Sequence, residues 1–160
     1  MSNTPLYGIH DPGGEHLLPK GSTIVFTEAI GCNPDDLSGC DYRRWEQQGY
    51  RVIVRLNNGY GATGTIPTPD KYGDFARRCA NYVRNSPGCS HWIIGNEPNH
   101  SQERPNGQPI SALEYAGCFK HVAQEVYGRV GAQHRLIAAA VAPWNVETGD
   151  WLLYMQTMLG

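Results

Sequence analysis

A chain of 160 residues with a net charge of −2 and 40% hydrophobic residues is long enough for one domain with its own core. It carries no basic stripe, which argues against nucleic acid as a partner, and no apolar run nears the roughly 18 residues that a membrane span needs. The opening residues 1–8 have neither a basic nor an apolar signal region, so a cytoplasmic location is the default expectation.

Tyr7–His10 reads as a short strand, closed by the dense turn signal Asp11-Pro12-Gly13-Gly14. Glu15–Leu18 suits one helical turn before Pro19 and Gly21 interrupt it. Thr23–Glu28, β-branched and aromatic, is the second strand. A loop over 31–39 follows, then a short helix over Asp41–Gln48 with Gly49 as its stop signal. Arg51–Leu56 is the third strand, mostly apolar, as expected for a strand covered on both faces.

A long Gly/Pro loop, 57–69, leads to a helix over Lys71–Asn85, with Asp70 as its expected N-cap. Tyr72, Phe75, Ala76, Cys79, Ala80 and Val83 form its buried stripe at the i, i+3, i+4 spacing. The fourth strand begins at Trp92. Ser111 caps a long helix that runs to about Gly128, with Leu113, Ala116, Cys118, Phe119, Val122, Ala123 and Val126 as its apolar positions. Leu136–Val141 is the fifth strand and Trp151–Leu159 a last amphipathic helix. Five repeats of strand, loop and helix imply a parallel sheet with right-handed crossovers, hence a single α/β domain.

The five cysteines lack C-x-x-C spacing, which argues against a zinc ribbon or a thioredoxin-type site. Their odd count leaves at least one thiol free. Cys79 and Cys118 fall within predicted helices, where buried reduced cysteine is the common outcome. Cys32 and Cys40 flank one loop and would pair only in an oxidising compartment. No cofactor or metal is expected. His10, His91, His100 and His121, with Asp11, Glu97 and Glu103, lack any H-E-x-x-H-like local pair. Gly59–Gly64 matches G-x-G-x-x-G after a strand, yet Thr65-Ile66-Pro67 follows where a helix must open, and position 84 is Arg rather than an acid. Asn99-His100-Ser101 is a glycosylation sequon by form, and is expected to be one by chance.

The most informative stretch is Trp92–His100, W-I-I-G-N-E-P-N-H. Pro98 cannot donate to a ladder and favours extended geometry at Glu97, so the strand must end there. A carboxamide and a carboxylate, Asn96 and Glu97, are thereby placed at the C-terminal end of a buried strand, where α/β folds gather ligands. With this pair closing the fourth βα unit, the chain resembles the clan of retaining glycoside hydrolases built on (β/α)8 barrels, the cellulases and mannanases among them.

The resemblance implies an incomplete (βα)5 TIM-barrel-like sheet with outer helices, since a full barrel takes about 250 residues. It implies Glu97 as general acid/base and Asn96 as the residue that binds the sugar 2-hydroxyl. Arg55, Tyr60 and Trp144 are loose counterparts of the family's interior arginine and aromatic platforms. The family's nucleophile, a glutamate ending the seventh strand, has no counterpart here. Retaining chemistry needs two carboxyls about 5–5.5 Å apart, and inversion about 6.5–9.5 Å. Among Asp11, Glu28 and Glu147 at predicted strand exits, Glu28 is the first choice for the second carboxylate. His10, Asp11, Arg55, Asn57, Tyr60, His100, Trp144 and Glu147 are the expected carbohydrate contacts. A sugar-binding protein without turnover, or an assembly module with a vestigial cleft, are the alternatives. Five parallel strands leave two unpaired edges, so a homodimer that completes or caps the open sheet is expected.

Overall fold

The β-branched runs line up as one parallel sheet in a computed structural model that describes residues 8–160. Its strands are β1 (Gly8–His10), β2 (Thr23–Ala29), β3 (Arg51–Asn57), β4 (His91–Ile94) and β5 (Arg135–Ala138). Their spatial order is β1-β2-β3-β4-β5, every neighbouring pair parallel. Each strand therefore lies beside its successor in sequence. The order never reverses, so the sheet lacks the switch point around which nucleotide-binding doubly wound sheets are built. Tyr7, the expected start of the first strand, lies outside the described residues.

The helices are α1 (Arg43–Gln47), α2 (Tyr72–Arg84), α3 (Ala112–Arg129) and α4 (Trp151–Leu159). Connections that leave a strand are long, 58–71 after β3 and 95–111 after β4, whereas those that return to one are short. Alternate side chains of the strands take opposite faces. Phe26, Val54 and Trp92 share one row and are buried. On the other face Thr27, Arg55, Ile93 and Ile137 form a register row that is only half-buried.

The expected stripe of α2 is buried throughout, but the helix starts differently. Asp70 is not its cap: it lies in a 3-10 turn, Pro69–Lys71, where it accepts from the Thr68 hydroxyl at 2.7 Å. In α3 the Ser111–Glu114 capping box is complete. The phase of its apolar face differs from expectation. Leu113 is exposed, and Ala112 and Tyr115 take the buried positions beside Cys118, Val122 and Val126. Tyr115 sets that phase, because its hydroxyl donates to Ile94 O at 2.6 Å and accepts from Ala139 N at 2.6 Å. The same contact ends β5 three residues short of the expected Val141, by drawing the Ala139 N–H out of the ladder.

All five cysteines are free, Cys32 and Cys40 included. Among the described residues no helix is long and apolar enough to cross a membrane.

Candidate functional site

The exit of β4 carries the centre of the site. Gly95 still belongs to the sheet, its N–H donating to Leu56 O at 2.8 Å. Its φ of 76° turns the chain, and a Cβ there would stand 3.2 Å from Thr65 Oγ1, so glycine suits this bend. Glu97 follows with φ 31°, not the extended geometry that a residue before proline favours. The turn enforces it: His100 N–H closes onto Glu97 O at 2.7 Å, with Pro98 inside the loop. Asn99 anchors the turn from below. It is fully buried, and its amide exchanges two bonds with the Ala142 backbone, Nδ2 to O at 3.0 Å and Oδ1 from N at 2.8 Å. That burial also removes Asn99 from use as a glycan acceptor.

Asn96 is held at both its backbone and its side chain. Its N–H donates to Thr65 Oγ1, and its Nδ2 donates to Glu103 Oε1 at 2.9 Å. Thr65 is itself fully buried and knits the site together. Its hydroxyl donates to Asn57 Oδ1 at 3.3 Å, and its N–H donates to Glu103 O at 3.0 Å. Glu103 arrives here through a 3-10 turn, Ser101–Glu103, whose entry is capped by His100 Nδ1 accepting from Gln102 N at 3.1 Å.

Burial, and next to it the charge of Glu97, raises the Glu103 carboxyl above its ordinary range. The Asn96 bond and the charges of His100 and Arg55 oppose this without cancelling it. Three buried polar atoms of this neighbourhood have no hydrogen-bond partner: Arg55 Nε, Asn57 Nδ2 and Glu103 Oε2. These are two donors and one acceptor, each shielded from solvent and without a protein partner.

The other expected residues divide between this centre and other duties. Arg55 and Asn57 lie on the half-buried face of β3 and at its end, with Asn57 only 1% exposed. Tyr60 is exposed, and its phenol is pushed upward by burial first and then by the charges of Asp11, Glu103 and Glu28. His10 and Asp11 pair with each other at 2.9 Å, and His10 Nε2 lies 3.1 Å from Thr27 Oγ1 on the open face. Trp144 is 81% exposed, with φ 59°, its ring 6.2 Å from that of Trp151. Glu147 is tied to Arg104 at 3.0 Å.

Glu28 differs from its expected place. It shares register parity with buried Ile24 and Phe26, and its Oε1 accepts from the Tyr42 hydroxyl at 3.1 Å, which lies 2.9 Å from that of Tyr82. The carboxylate that stands beside Asn96 and Glu97 is Glu103. The period-two count of β2 already carried the first half of that correction. The second half depends on the 95–111 connection folding back, which has no local signature. Thr65 escaped notice for the same reason. Around Gly59–Gly64 the chain forms only a 3-10 turn, Gly61–Thr63, where a dinucleotide site requires an α-helix to open. Among the described residues no three of His, Cys, Asp and Glu cluster closely enough to hold a metal ion.

Fold and site together define a class: a parallel βα-repeat domain that gathers carboxylates, amides and aromatic rings at the C-terminal ends of its strands. Compared with known proteins, the chain matches no family model, no curated protein and no solved structure.

Proposed function

We propose that this chain is a carbohydrate-active protein of the glycoside hydrolase kind, its βα units arranged as part of a TIM-like barrel. Oligo- or polysaccharide would be held at the strand exits, with Glu97 as general acid/base. The observation that carries the reading is the conformation of Glu97, a non-glycine residue held at positive φ by a buried turn beside an anchored carboxamide. Strain of this kind costs of order 1–3 kcal/mol and collects where a side chain must be aimed. Glu97 would protonate the leaving oxygen, Asn96 would meet the neighbouring hydroxyl, and the exposed faces of Trp144 and Tyr60 would stack on sugar rings. Glu103 supplies the second carboxyl group of the site.

A reading in which saccharide binds without turnover is favoured by one observation. Glu28 is turned to Tyr42 and Glu147 to Arg104, while Glu103, the carboxyl group bonded to Asn96, is held by burial above its ordinary range, which disfavours the ionised form a nucleophile needs. The Glu97→Gln variant separates the two. With cello- and manno-oligosaccharides, the hydrolase reading expects turnover in the parent to fall about 100-fold or more, with binding retained. Binding in both proteins with turnover in neither supports the second reading, and binding by neither removes both.

On the same reading two copies meet through the edges left by β1 and β5, or through their open faces. Sedimentation equilibrium then gives twice the chain mass; a single-chain mass at every concentration contradicts it.

A further inference from the structure

An ionised carboxylate only accepts hydrogen bonds, whereas a carboxamide presents an accepting end and a donating end. Asn96 Nδ2 donates to Glu103 Oε1 at 2.9 Å. While Glu103 is ionised, only the nitrogen end of that amide can face it, so Asn96 Oδ1 is turned away. A protonated Glu103 lifts the restriction, because its O–H is able to donate to Oδ1 once the amide has turned over. Glu103 Oε2 is buried and has no partner, so a proton placed there breaks no existing bond.

The surroundings leave the amide few other freedoms. The Asn96 backbone is fixed by Thr65 Oγ1, and the Glu103 backbone by Thr65 N–H. Thr65 is in turn held by Asn57, 1% exposed, whose own Nδ2 lacks a partner. Both backbones hang from one buried threonine, so rotation of the side chain is the motion that remains.

We propose that Glu103 is the positioning residue of this site: its ionised carboxylate selects which end of the Asn96 amide a ligand meets, and its protonation removes that selection, because a neutral carboxyl group accommodates either end. The groups that face Glu103 are Asn96, Glu97 and His100 from the β4 exit and Arg55 from β3, with Tyr60 from the β3 loop. Burial holds the carboxyl above its ordinary range, so the release falls at a higher pH than for a solvated glutamate. The inference depends on the carbohydrate reading only for the identity of the ligand.

The test is a pH titration by NMR of the Asn96 side-chain amide and the Glu103 carboxyl carbon, in the free parent protein and in Glu103→Gln. In the parent the two signals titrate together, with a midpoint above that of an exposed glutamate. In Glu103→Gln the amide signal loses that step, because a glutamine offers both donor and acceptor at every pH. Amide resonances that ignore the Glu103 titration overturn the proposal, and the parent alone supplies this arm if the variant does not fold. Calorimetry with cello- and manno-oligosaccharides at neutral pH gives the second arm. Binding weakens by only about twofold in Glu103→Gln, because glutamine still offers an acceptor to Asn96 Nδ2 and loses only the exclusion of the second amide orientation; a larger loss contradicts this role. A co-titrating amide in a parent that binds no saccharide sustains the role of Glu103 and removes the carbohydrate reading.

Discussion

Single side chains with long-range partners hold the strand-exit face in shape. Arg78 is the clearest case away from the site. It is 2% exposed inside α2, and its guanidinium donates to Ile30 O, Asp36 O, Ser38 O and Ser38 Oγ at 2.8–3.2 Å while pairing with Asp36 Oδ2. Asn81, one turn along, donates to Pro34 O and Asp36 O. Between them they fasten the loop 31–39 to the helix. Arg78→Met keeps the apolar stem but strands the Ile30 and Ser38 carbonyls and leaves Asp36 without its ion pair, and is expected to cost about 3 kcal/mol in denaturant unfolding. A loss below about 0.5 kcal/mol would mean the loop does not depend on it. Neither residue stood out in the sequence, since a lone arginine in a helix is ordinarily solvated and its partners lie some forty residues upstream.

Among the elements, the strands and α2 were legible because their signals are local. Runs such as Thr23-Ile24-Val25-Phe26 favour a pleated, buried strand wherever they occur. The stripe from Tyr72 to Val83 has one phase that fits. In α3 Cys118, Val122 and Val126 are buried as expected, but Ala112 and Tyr115 replace Leu113 and Ala116 at its start, because a hydroxyl contact from Tyr115 to the ends of β4 and β5 decides which way the helix faces.

A second cross-element contact gives a pH dependence. The Trp92 indole N–H donates at 3.1 Å to Nδ1 of His134, which precedes β5. That nitrogen must be unprotonated, and burial lowers the His134 pKa from 6.5. The native state therefore binds fewer protons here than the unfolded chain. Its stability is at full value above pH 6.5 and declines as pH falls below it. The thermal midpoint is expected to drop on acidification through that range, and to drop less in His134→Asn, which keeps an acceptor without a titrating ring. Equal slopes in the two proteins would exclude His134 as the cause.

For the molecule as a whole, the sequential order of five parallel strands is what makes the site possible. It puts every strand exit on one side of the sheet, so that residues from the connections after β3, β4 and β5 meet. The Asn96–Glu97 pair was legible because a β-branched run, a glycine and a proline mark the end of a strand unambiguously. The identity of its companion was not. Glu103 reaches Asn96 through a folded-back loop, and Glu28 is diverted to Tyr42 by strand parity.

The most direct measurement is a map of backbone amide shift changes as cello- and manno-oligosaccharides are added to the labelled protein. Carbohydrate binding at the strand exits predicts saturable changes at residues 95–100 and 57–65 and at the Trp144 indole. Changes confined to other surfaces, or none at any ligand concentration, would contradict it.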